Sequence, residues 1–108
     1  PADGTIAVRC AGVRGEVALD DAYVAGVLMQ RILHALPDAF PTDGARTAIA
    51  IANAYPLALA ALEDSQSARD LDGTGLEPDV MRCAQVDTLS TAPRVTASSP
   101  GRVVVTLG

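Results

Sequence analysis

The sequence predicts an α/β domain in which a strand runs into a glycine turn and a helix, followed by several helices and a terminal β-hairpin. Three observations lead there. Residues 5–11 are apolar on both faces apart from Arg9, as in a central strand covered on both sides. Residues 20–87 then carry helical apolar spacing punctuated by proline and glycine. Finally, two β-rich stretches, 92–96 and 102–107, flank Ser98-Ser99-Pro100-Gly101, a turn composition.

Taken in order, Gly12-Val13-Arg14-Gly15 ends the first strand. Asp20 and Asp21 open a helix to about Leu36, since an acid there meets free N–H groups and the positive end of the helix dipole. That helix is apolar nearly all round, which predicts burial. Its Ala25-Gly26 pair lets another backbone approach closely, at about 1 kcal/mol of helix propensity for the glycine. Pro37 to Pro41 is a turn. Thr42 or Asp43 caps a second helix towards Tyr55, where Pro56 kinks or breaks it. Residues 57–62 resume the helix, 63–67 are a polar patch, and a short helix follows to Leu71. Gly73 and Gly75 stop it. Glu77-Pro78-Asp79 restarts a helix, with proline at its first position.

Length and composition bound the function. At 108 residues and 49% hydrophobic content the chain is one domain, 1–108, with a modest core. Aromatic residues are only 3%, so that core is built from Ala, Val, Leu and Ile, which bury little area each. The early apolar run and the start at Pro1 read as a piece of a longer polypeptide. A net charge of -5, with every basic residue a scattered arginine, argues against nucleic acid, which needs clustered Lys and Arg. Cys10 and Cys83 make neither a disulfide framework nor a Cys-x-x-Cys pair, as expected of reduced thiols in a cytoplasmic protein. No leader is visible. The apolar stretch 45–62 is interrupted by Arg46, Asn53 and Pro56 and falls short of the roughly 20 apolar residues that span a bilayer; it reads as a buried helical region.

The strongest chemical constellation is Cys10-Ala11-Gly12-x-x-Gly15 followed by Asp20-Asp21. A glycine turn after a strand lets backbone N–H groups approach an anion. Paired aspartates offer the hard oxygens that Mg²⁺ takes, a substrate phosphate completing its coordination. The spacing fits neither the dinucleotide fingerprint nor the P-loop, and taken alone the aspartates read more simply as a helix cap. Ser65, Ser67 and Arg69 form a second group, either an anion site or a solvated helix junction. His34 is the only histidine, late in the first helix and without a partner for a triad or a zinc site. Cys10 is a nucleophile or, more simply, a packed thiol.

These residues resemble the 2-phosphosulfolactate phosphatase family. Val8 to Asp21, with Ala25-Gly26, matches an apolar strand, Ala-Gly-x-x-Gly, Leu-Glu-Asp and Ala-Gly in the next helix. Ala61-Leu62, Ser65, Arg69, Leu71, Gly75, Asp79-Val80, Cys83-Ala84, Asp87 and Pro93 follow in the family's order. The resemblance is to the carboxyl-terminal portion; segments of the Asp-Val-Leu-Arg and Thr-Thr-Asn-Gly-Thr type do not occur in these 108 residues. It implies a larger three-layer α/β/α enzyme and Mg²⁺-dependent hydrolysis of 2-phospho-3-sulfolactate to sulfolactate and phosphate, a step towards coenzyme M in some organisms. Position by position, Gly12 and Gly15 would form the substrate turn and Ser65 and Arg69 would hold phosphate. Asp21 would match the family's acid at the metal or phosphate. Asp20 stands for a glutamate one methylene longer, and Ala68 for a glycine beside Arg69. The implied partners are a small phosphorylated acid and the amino-terminal part of the same protein, with a homodimer left open and no nucleic acid or membrane. The alternative is a non-catalytic structural or interaction domain on the same scaffold.

Overall fold

The computed structural model describes residues 4–107. Among the described residues five helices precede two strands: α1 (Leu19–Ala35), α2 (Asp43–Ala54), α3 (Ala58–Glu63), α4 (Gln66–Asp70), α5 (Pro78–Cys83), β1 (Pro93–Ser99) and β2 (Arg102–Leu107). The α/β class and the order of elements after Leu19 agree with the sequence.

Local chemistry sets the boundaries. Leu36 closes α1 outside the helical region, at φ -126 and ψ 76, because the following Pro37 disfavours α conformation in its neighbour. Tyr55 is extended before Pro56 for the same reason, ending α2. Thr42 caps α2, its hydroxyl accepting from the Ala45 amide at 3.2 Å. Gly73 and Gly75 both take positive φ in the loop between α4 and α5, where a side chain would be strained.

The helices meet through small residues. A Cβ on Gly26 would overlap the Ala48 carbonyl oxygen and lie 2.8 Å from the Ala52 Cβ, so the predicted close approach is that of α2 on α1. Gln30 Nε2 donates to Asn53 Oδ1 at 2.6 Å across the same contact. Tyr23 and Tyr55 stack edge to face, 6.2 Å apart. The buried hydrophobic residues are Ala25, Ala52, Ala61 and Leu62, joined by Ser65.

The hairpin is antiparallel from Pro93↔Leu107 to Ser99↔Arg102, with an irregularity between Val95 and Ala97. Its turn is Pro100-Gly101 alone, shorter than predicted, with Gly101 at φ 76; proline then a left-handed glycine suits a type II turn. Pro93, Val95, Val103, Val105 and Leu107 alternate onto one face of it.

Three expectations change. Residues 6–11 of the predicted strand join no ladder among the described residues, whose single sheet is the hairpin; a strand exists only through a partner, and none of these elements supplies one. Helix α1 is not buried all round: Val24 and Leu28 face solvent while Ala25 and Gly26 are enclosed, because α2 covers one face only. Across 45–62, likewise, burial is confined to Ala52, Ala61 and Leu62.

Candidate functional site

The glycine turn is a tight one. Val13 N–H donates to the Glu16 carbonyl at 3.1 Å and Glu16 N–H returns to the Val13 carbonyl at 2.9 Å. Between them Arg14 and Gly15 have φ 52 and 77, the two left-handed central residues of a type I′ turn. Gly12 has φ 68, and a Cβ there would meet the Glu16 carbonyl oxygen at 2.6 Å. Gly12 is therefore required by both conformation and space, Gly15 by conformation alone. The Arg14 and Gly15 amides at the tip have no protein acceptor among the described residues.

The first turn of α1 carries the two acids. Ala18 is the N-cap and accepts no side-chain capping bond, so neither aspartate serves as a cap. They lie inside the helix, where the dipole still favours negative charge. Asp21 Oδ2 accepts the Gly12 N–H at 2.8 Å, tying the turn to the helix. Cys10 Sγ lies 3.6 Å from the Asp21 carbonyl as a donor. This thiol is exposed, not packed, because no strand covers it. Asp20 Oδ1 is buried and has no hydrogen-bond partner among the described residues. A carboxylate oxygen withdrawn from water without a partner is unfavourable, and either a hydrogen-bond donor or a cation would relieve it.

The two aspartates supply carboxylate oxygens of the kind that Mg²⁺ takes. No group of three or more His, Cys, Asp and Glu suited to a metal occurs among the described residues. Mg²⁺ is commonly held by one or two carboxylates with waters and substrate phosphate, so Asp20 would serve as one ligand and Asp21 as its neighbour.

The second predicted group lies apart. Ser65 is 2% exposed; its hydroxyl donates to the Leu62 carbonyl at 2.6 Å and accepts the Ala68 N–H at 3.1 Å. It caps α4, and its one proton is already committed. The junction is buried at this residue, not solvated. Exposed Arg69 lines a cavity of about 540 Å³ with Glu63, Asp72 and Glu77. Gly12 and Gly15 line a different, largely apolar trough of about 930 Å³ between residues 4–18, α1 and the start of α2. The two groups thus do not share a cavity. His34 is exposed in the last turn of α1, and Cys83 is exposed.

Two contacts had no signal in the sequence. Arg31 donates twice to Asp87, at 3.0 and 3.1 Å, across 56 positions that only the tertiary fold brings together. This charge-assisted pair holds the Asp87 carboxyl below and the Arg31 guanidinium above their ordinary ranges. Asp87 itself is left-handed, at φ 57. Glu77, read as part of a helix start, turns back to accept the Gly73 and Gly75 amides at 2.7 and 3.4 Å. Backbone hydrogen bonds hold its carboxyl below the usual range.

Comparison with known proteins gives consistent results. A family model described as 2-phosphosulpholactate phosphatase matches residues 1–98. A curated relative from Thermus thermophilus, named "Probable 2-phosphosulfolactate phosphatase", is 47% identical over 88 residues, 82% of this chain and 37% of the relative. A Deinococcus radiodurans protein of the same name is 40% identical over 88 residues, 82% of this chain and 36% of the relative. The chain therefore spans a little over a third of the length of the curated relatives it matches.

Proposed function

This chain belongs to the 2-phosphosulfolactate phosphatase family, and from that membership we propose that it contributes half of an Mg²⁺-dependent phosphatase site acting on a small phosphorylated acid. The substrate in this reading is 2-phospho-3-sulfolactate. Water adds to phosphorus, the ester P–O bond breaks, and the leaving oxygen takes up a proton, giving sulfolactate and phosphate. The observation that carries the reading is the buried, unpartnered Oδ1 of Asp20 beside a glycine turn that Asp21 anchors.

The two acids divide the work. Asp20 supplies the carboxylate oxygen that faces a cation. Asp21 is a positioning residue: its bond to the Gly12 amide holds the turn against the first turn of α1. Gly15 leaves the turn tip without a side chain, so an anion can reach the Arg14 and Gly15 amides. When bound, Mg²⁺ supplies charge neutralisation of the phosphate and orientation of water. The remaining ligands, and any nucleophile, come from the amino-terminal part of the family chain, so the 108 residues alone release no phosphate.

The test uses the full-length polypeptide that carries this segment. Mg²⁺ binding by calorimetry and phosphate release are measured for the parent, Asp20→Asn and Asp21→Asn. Asp20→Asn is expected to abolish measurable metal binding and turnover. Asp21→Asn is expected to cost about 10- to 100-fold, the size typical of losing a partner that orients a ligand. Unchanged Mg²⁺ affinity in Asp20→Asn overturns the assignment. A parent that binds no Mg²⁺ and releases no phosphate supports the non-catalytic domain instead.

A further inference from the structure

We propose that Arg14, at the tip of the glycine turn, binds the sulfonate of the substrate and so sets which phosphorylated acid the site accepts. The proposal rests on the phosphatase reading given above and deepens it, by naming a residue that selects the substrate.

Backbone conformation singles Arg14 out. Among the described residues only Arg14 and Asp87 take positive φ without being glycine, at 52 and 57. Aspartate enters this region readily, and type I′ turns prefer asparagine, aspartate or glycine. Asp87 is also held by its two hydrogen bonds from Arg31. Arg14 has neither a short polar side chain nor a partner to offset the left-handed cost. Glycine or asparagine would make the same turn more easily, so what arginine adds there is its guanidinium.

That guanidinium has nothing to bind within the described protein. Arg31 pairs with Asp87, Arg82 with Asp79, and Arg46 lies over the Phe40 ring. The exposed Arg14 side chain makes no hydrogen bond, ion pair or ring contact among the described residues. Glu16, two positions on, closes the turn through its backbone alone. Placement makes the free cation useful. The Gly12 amide donates to Asp21 at 2.8 Å, which fixes the turn against the first turn of α1. Arg14 lies two residues from that bond, at most about 8 Å between Cα atoms. It is thus carried on the same tight turn as Gly12 and Gly15, tied to the helix turn that holds Asp20 and Asp21.

The chemistry of the substrate selects the ligand. In 2-phospho-3-sulfolactate the phosphate ester and the carboxylate are attached to one carbon and can share one cation. The sulfonate stands on the next carbon. It is ionised at every physiological pH, weakly basic and a poor metal ligand, and its oxygens suit a forked, weakly hydrated guanidinium. Asp20, Asp21 and Glu16 make the surroundings acidic, so a further anionic group entering there needs a cation on the protein. Arg14 is the cation that the turn provides.

The full-length polypeptide carrying this segment is the material for the test, as the parent, Arg14→Gln and Arg14→Gly. Arg9→Gln and Arg102→Gln are controls, since both arginines are exposed and without a partner among the described residues. The comparison substrate is 2-phospholactate, which lacks only the sulfonate. The parent is expected to favour 2-phospho-3-sulfolactate in kcat/KM by about 10- to 100-fold, the worth of a charge-assisted hydrogen bond. Both Arg14 variants are expected to bring that ratio near one, whereas the two controls keep it. Arg14→Gly relieves the turn, so its melting temperature should not fall, which separates binding from folding. Calorimetry without Mg²⁺ gives a second readout: 3-sulfolactate is expected to bind the parent but not Arg14→Gln, with lactate as the blank. A ratio near one in an active parent, a preference that survives both Arg14 variants, or an equal loss in Arg9→Gln overturns the proposal. A parent that releases no phosphate defeats the phosphatase reading alone. Sulfolactate binding that depends on Arg14 then still upholds this assignment, and sulfolactate binding that is absent or independent of Arg14 removes it.

Discussion

Among single residues, Gly12 and Gly15 look alike in sequence and differ in what they do. Both have positive φ, but only Gly12 lacks room for a Cβ, the Glu16 carbonyl being too close. Gly12→Ala is therefore expected to destabilise by about 3 kcal/mol, strain plus a backbone clash. Gly15→Ala should cost about 1 kcal/mol, the left-handed penalty alone. Urea melts of the two variants check the order, which reverses if the turn is not as described. Ser65 carries a similar lesson. Its placement in the family's order suggests phosphate, yet its hydroxyl is used twice within the protein. Ser65→Ala should lower stability by about 1–2 kcal/mol through loss of the α4 cap, measured in the same way.

Between elements, the packing of α1 on α2 turns on Gly26. Helix propensity alone predicts that Gly26→Ala stabilises by about 1 kcal/mol. The Ala48 carbonyl it would strike belongs to a helix backbone and cannot rotate away, and such overpacking costs about 1–3 kcal/mol or more. The clash outweighs the propensity gain. Thermal melting should show a net loss of about 2 kcal/mol, and a gain would mean that α2 shifts freely. This contact is legible in the sequence because Ala25-Gly26 in an apolar helix has few other uses. The helix ends at Pro37 and Pro56 are legible too, since proline acts on its immediate neighbour. The absence of a ladder at residues 6–11 among the described residues is not, because pairing depends on a second strand brought alongside, which the pattern of one segment does not record.

Across the whole molecule, the Arg31–Asp87 pair joins positions remote in sequence, and the pH dependence of this and the other shifted groups follows from the sign of each shift. Asp87 and Glu77 have depressed folded pKa values, so their contribution is complete above the unfolded carboxylate range. It is lost as pH falls through the lower folded values. Tyr55 is raised by its hydrogen bond to Asp64 at 2.8 Å; its contribution is complete below the unfolded value and is lost as pH rises through the folded one. Stability should therefore decline at both extremes. Asp87→Asn should flatten the acid limb and Tyr55→Phe the alkaline limb of a plot of melting temperature against pH. A limb that is unchanged in its variant rules out that pair as a contributor. Among the described residues no helix is long and apolar enough to cross a membrane, which accords with the interrupted run at 45–62.

The α/β class, the helix boundaries and the hairpin could be read from the chain alone, and the candidate site is placed between residues 10 and 21 by the same kind of reading. Each depends on local features: periodicity, proline and glycine placement, and short motifs in a set order. The contacts made by the residues of that site emerged only from the tertiary fold. Asp20 and Asp21 are adjacent in sequence and chemically identical, but helix geometry turns one carboxylate to the Gly12 amide and leaves an oxygen of the other buried and unpartnered among the described residues. The same packing put Ser65 in a cap and Arg69 in a separate cavity. Direction and burial are properties of packing, which no spacing of residue types along a chain records.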